Sequence, residues 1–224
     1  IIESDPVISL SLINFANTVQ FAGAHKTASV PLAIVRLGMD FVQRVVFVAT
    51  MMARYQKGRC AEFDYLAYWR NALATGVAAR ALLPSFGIAR SMADDAFSAG
   101  LVSGIGWLAV AETYPALLAK YLKRCRGKDP LVKIRLQQEM FPCPIRLVSE
   151  RLLQRFSFPD IVHNTVAGRA EGHQRLGECL ARATRVAQSL APLSFLAVLP
   201  MSQIPLACQE EWQRWQGMFA GALH

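Results

Sequence analysis

The stretch "AFSAGLVSGIGWLAV", residues 96–110, decides how this chain folds. Its apolar residues lack the strict alternation of a half-buried strand, and Asp94 and Asp95 ahead of it suit the positive end of a helix. The spacing predicts one helix over 94–111. Gly100, Gly104 and Gly106 inside it cost together about 3 kcal/mol of helix propensity relative to alanine, so their presence needs a reason. Two reasons are available: close approach to a neighbouring helix, and a bend that turns side chains into a shared pocket.

The helical pattern extends in both directions. Asp5 followed by Pro6 predicts a helix start, with Asn17 at its end. "SVPLAIVRLGMDFVQRVVFVATMMARY", residues 29–55, predicts a short helix closed by Gly38 and a longer one from Asp40 to Tyr55, joined at a sharp corner. Further helices are expected over 62–83, 115–126, 130–140, 146–156, 159–169, 172–190 and 205–222. No stretch alternates as strands do. The expected fold class is all-α, a compact multi-helix bundle.

Composition agrees with a folded core. The chain has 224 residues, of which 53% are hydrophobic and 18% charged, which excludes a disordered segment. The five cysteines (Cys60, Cys125, Cys143, Cys179, Cys208) form no C-x-x-C pair, a pattern that suits reduced thiols in a cytoplasmic protein. The four histidines (His25, His163, His173, His224) include no i, i+4 pair, so none reads as a helical metal clip. Val186–Gln209 carries no charge, but Pro192, Pro200 and Pro205 interrupt it, and it reads as a buried, proline-broken stretch. The opening "IIESDP" reads as the start of a fragment of a longer chain.

The net charge of +8 raises the question of nucleic acid. "KYLKRCRGKDPLVKIR", residues 120–135, holds seven Lys/Arg against Asp129 alone. Aromatic residues are not interleaved there as base-stacking requires. Lys120, Lys123, Arg124, Arg126 and Lys128 form the candidate anion or partner patch, with a solvated helix end as the plainer reading.

The segments "DPVISLSLINFANTVQF" (5–21) and "SVPLAIVRLG" (29–38) resemble the opening motifs of the HDOD family, the HD-related output domains of bacterial signalling proteins. The resemblance continues through "YWRNALATGVAARALL" (68–83), "AFSAGLVSGIGWLAV" (96–110), "LLQRFSFPDIV" (152–162) and "LARATRVAQSLA" (180–191). It implies an HD-like bundle over residues 1–191, lacking its most N-terminal helices, with 192–224 as a C-terminal helical extension packed on the same domain.

Catalytic HD relatives hold metal with His and Asp side chains, and the metal activates water for phosphoester hydrolysis. By this resemblance their ligand positions fall on Asn71, Ser103, Gly104, Ile145 and Arg169, with Ala170 beside the last. An amide, a hydroxyl, a hydrogen, an alkyl group and a guanidinium do not replace imidazoles and a carboxylate around a divalent cation. The resemblance therefore implies a degenerate metal site without catalytic residues or cofactor, in a cytoplasmic, non-catalytic signal-transduction module. Its partners would be other signalling proteins or domains, with no membrane. Two alternatives stay open: a metal-dependent phosphohydrolase of nucleotides or cyclic dinucleotides, and a nucleic-acid or nucleotide-binding regulator using 120–135. Asn71 and Ser103 would line any pocket that survives loss of the metal.

Overall fold

The computed structural model describes residues 27–169, 174–196 and 202–219, together with Ile13. The helix expected from Asp5 to Asn17 lies outside them, as do His25, Ala170, His173 and His224. Every regular element among the described residues is helical. The chain forms two compact units, one of residues 1–54 with 213–224 and one of residues 55–212.

In the first unit, α1 (Val30–Leu37) and α2 (Met39–Arg54) meet at Gly38. Gly38 adopts φ +81°, a conformation that L side chains rarely take, and its N–H donates to the Ile34 carbonyl at 2.8 Å. One glycine therefore makes the corner that the sequence predicts.

The second unit is built around α3 (Tyr65–Leu82), which starts where the Asp64 carboxylate accepts from the Ala67 N–H at 2.8 Å. All ten residues from Asn71 to Arg80 are buried, so α3 is a central helix covered all round. It packs chiefly on α4 (Ala93–Val102) and α10 (Gln174–Leu190). Between them Ala78, Leu82, Ala96, Leu176, Cys179 and Val186 belong to one apolar cluster. α5 (Ile105–Thr113), α6 (Pro115–Cys125), α7 (Pro130–Met140), α8 (Ile145–Arg155) and α9 (Asp160–Ala167) complete the unit, and α11 (Leu206–Phe219) is divided between the two units. The stretch Val186–Gln209 is broken as its prolines predict, because α10 ends at Leu190 and α11 begins at Leu206. Arg90–Thr113 is long and apolar enough to cross a membrane, and 72% of its apolar window is buried inside the protein.

The single helix expected over 94–111 is two helices, α4 and α5, which part at Ser103 and Gly104. The cause lies on α8. Ser149 Oγ accepts from the Gly106 N–H and donates to the Ser103 carbonyl, each at 2.9 Å. One hydroxyl thus satisfies a donor and an acceptor at the break. Both sequence-level reasons for the glycines hold. A β-carbon on Gly100 would lie 2.6 Å from Gly76 Cα, and one on Gly106 would lie 2.6 Å from the Ile145 carbonyl oxygen.

Candidate functional site

The break between α4 and α5 opens onto a cavity of about 340 Å³ in the second unit. Asn71 from α3, Ser103 and Gly104 from the break, and Ile145 from α8 all line it. Four of the five positions picked out in the sequence therefore converge on one space. Arg169 does something else: its guanidinium is paired with the Glu150 carboxylate of α8, whose residue is 1% exposed.

Both polar side chains at the four positions make a hydrogen bond to backbone. Asn71 Nδ2 donates to the Ala191 carbonyl at 2.7 Å, which ties the chain after α10 to the central helix. Gln188 holds the same chain segment through both the N–H and the carbonyl of Leu193, at 3.0 and 2.8 Å. Leu193 and Leu196 of that segment line the cavity. Ser103 Oγ donates to the Gly100 carbonyl at 2.8 Å. Gly104 is half-buried with φ −91°, and a β-carbon there would come within 3.3 Å of one side chain only, that of Tyr68.

The aromatic wall is closely packed. Trp107 stacks on Tyr121 with ring centroids 5.4 Å apart and meets Phe141 and Phe195 edge-on. Tyr121 Oη donates to the Phe195 carbonyl at 3.2 Å. Tyr68 forms another part of the wall, held edge-on to Trp69.

Among the described residues, the lining contains no His, Cys, Asp or Glu, the side chains that hold a divalent metal. Among the described residues no three such side chains gather anywhere. Asp94 and Asp95 sit in the first turn of α4, and Asp94 lies 3.9 Å from the buried Arg80 guanidinium, a structural use of the carboxylate. His163 is buried with Nε2 3.0 Å from Asp160 Oδ1, in keeping with a polar core histidine.

The HDOD domain family model matches residues 1–171. This chain belongs to the HDOD family. Among solved structures, the HDOD chain is similar to a proposed phosphohydrolase from Shewanella amazonensis SB2B, with 20% identity, a TM-score of 0.67, and coverage of 99% of this chain and 84% of that one. It is also similar to the MmoQ response regulator from Methylococcus capsulatus str. Bath, with 25% identity, a TM-score of 0.52, and coverage of 94% and 85%. A third likeness, to a proposed signal transduction protein from Marinobacter aquaeolei VT8, has 17% identity and a TM-score of 0.60, and covers 99% of this chain and 53% of that one. No curated protein matches the sequence.

Lys120, Lys123, Arg124, Arg126 and Lys128 lie on the exposed side of α6 and in the turn after it. Lys123 Nζ is 3.1 Å from Glu62, and Arg124 is 3.5 Å from Glu139. The Lys123 contact, with Arg126 nearby, holds the Glu62 carboxyl below its usual range. Lys120, Arg126 and Lys128 are exposed beside these pairs.

Reading the sequence missed Tyr68, Arg146, Ser149 and Glu150. Tyr68 stands within the quoted segment "YWRNAL", but a tyrosine in an apolar helix has no mark that separates a pocket wall from core. Glu150 carries a signal only in retrospect, as a charge on the face of α8 that its neighbours bury.

Proposed function

We propose that this chain is a non-catalytic regulatory module of bacterial signalling that acts through contacts with other signalling proteins or domains. Its module is residues 1–191, with 192–224 as a helical extension. The observation that carries this reading is the composition of the cavity wall. Asn71, Ser103, Gly104 and Ile145, which the family resemblance sets at the metal-ligand positions of HD relatives, line one cavity and together offer neither imidazole nor carboxylate. Membership of the HDOD family and the likeness to a response regulator support the signalling role.

Hydrolysis assays test it directly. The purified chain with manganese is given bis(p-nitrophenyl) phosphate and a cyclic dinucleotide, beside an Asn71→Ala/Ser103→Ala variant. The expected result is no turnover in either. Metal-dependent turnover in the parent that the variant loses would overturn the reading. The basic stretch has no part in this proposal, since Lys123 and Arg124 face carboxylates. Titration with an oligonucleotide at rising salt checks that point, because a true phosphate-binding face loses affinity steeply with salt.

A further inference from the structure

A residue of the cavity wall, Tyr68, carries a buried hydroxyl without a partner. Tyr68 is 2% exposed, and its Oη is shielded from solvent with no hydrogen-bond partner. Buried tyrosine hydroxyls ordinarily find one. Burial raises this phenol well above its usual range, so at neutral pH it is a donor. Oη lies 3.9 Å from where a β-carbon on Gly104 would stand, and Gly104 is on the cavity wall. The hydroxyl thus borders the space that the missing side chain at 104 leaves open.

The charge of the wall points the same way. Among the described residues of the lining, Arg146 is the one that carries a formal charge, and none is Asp, Glu or Lys. Its side chain is exposed, and among the described residues it forms no ion pair or hydrogen bond. The remaining wall is largely apolar, including Trp107, Ile145, Leu180 and Leu193. It is also pre-formed, because aromatic packing fixes Trp107 while Asn71 and Gln188 fix the segment bearing Leu193. A volume of about 340 Å³ falls at the lower end of small-molecule sites, which run from roughly 300 to 1,000 Å³.

We propose that this cavity binds a small organic monocarboxylate with an apolar or aromatic body, packed on Trp107 and Ile145, with an oxygen accepting from Tyr68 Oη and its charge balanced by Arg146. One arginine matches one negative charge. A phosphate ester with two charges would leave one uncompensated against an apolar wall. The site goes beyond the regulatory reading by giving the module a ligand, and it does not depend on whether the chain hydrolyses anything.

Calorimetric titration of the full chain tests the proposal with indole-3-acetate and octanoate, their neutral counterparts indole-3-ethanol and octanol, and adenosine monophosphate. At least one carboxylate is expected to bind in a 1:1 ratio more tightly than its alcohol and than the nucleotide. Tyr68→Phe and Arg146→Gln should each weaken it about ten-fold. Tyr68→Phe without ligand should melt no lower than the parent, since it removes only an unpaired hydroxyl. Absence of binding by both carboxylates, preference for the nucleotide or alcohols, or equal binding by Tyr68→Phe would each overturn the proposal. A lower melting point for unliganded Tyr68→Phe would overturn it too, by showing that the hydroxyl serves the fold. Hydrolysis is measured separately, so failure here leaves the non-catalytic reading standing.

Discussion

Gly76 on α3 and Gly100 on α4 approach so closely that a β-carbon on Gly100 would lie 2.6 Å from Gly76 Cα and 2.7 Å from Gly76 N. Backbone atoms have no rotamer by which to retreat. Gly100→Ala is therefore expected to destabilise the protein by about 3 kcal/mol despite the gain in helix propensity. Gly106→Ala should be of similar size, because its new methyl meets the Ile145 carbonyl and Ser149 Oγ. Chemical denaturation of the two variants checks this.

Gly104 should behave differently from its neighbours. A side chain there meets Tyr68 alone, and φ −91° suits any residue. The sequence alone suggests that Gly104→Asp buries an unpaired carboxylate between apolar helices. The cavity instead gives that carboxylate room and a nearby phenol donor, so the expected cost is about 1 kcal/mol. The triple variant Asn71→His/Ser103→His/Gly104→Asp should gain a manganese-dependent rise in Tm, since all three positions line one space. Thermal melts with and without manganese decide, and no rise would mean that the three do not converge well enough to ligate.

Arg169 is exposed on one side, but its partner Glu150 is buried. Arg169→Ala leaves that carboxylate without its cation and is expected to cost about 2 kcal/mol. Arg169→Met combined with Glu150→Met should recover most of the loss, because no buried charge is left behind. Urea midpoints of the three proteins measure both effects.

Four of the five thiols are buried, and Cys143 alone is exposed. One equivalent of iodoacetamide should react quickly with the native protein, and four more on unfolding. Burial raises the Cys179 thiol from 9.0 to about 12 and Cys208 to about 11. Above pH 9 the unfolded chain therefore releases protons that the folded one keeps, and stability falls as pH rises. Tm is expected to drop between pH 9 and 10, before unfolded tyrosines ionise, and to drop less steeply in Cys179→Ala.

The parts of the fold that were legible in the sequence rest on local chemistry. Gly38 supplies the positive φ of the predicted corner, and Pro115 and Pro130 open helices where the sequence places them. The break in 94–111 was hidden because the hydroxyl responsible, Ser149, lies 46 residues from Ser103. The candidate site followed the same rule. The family resemblance picked out Asn71, Ser103, Gly104 and Ile145, which line one cavity, whereas Arg169 is claimed by an acid that no local pattern announces.

The Asn71 amide has a consequence for any attempt to place a metal ligand at this position. Its hydrogen bond to Ala191 makes this position a fastener for the chain that carries Leu193 and Leu196 across the cavity. Replacing it with an imidazole removes that bond and leaves the two from Gln188 to Leu193, so one end of the segment loosens while the other stays fixed. A metal ligand placed at position 71 would therefore need a new anchor for Ala191 beside it. Position 71 is in this sense entrenched.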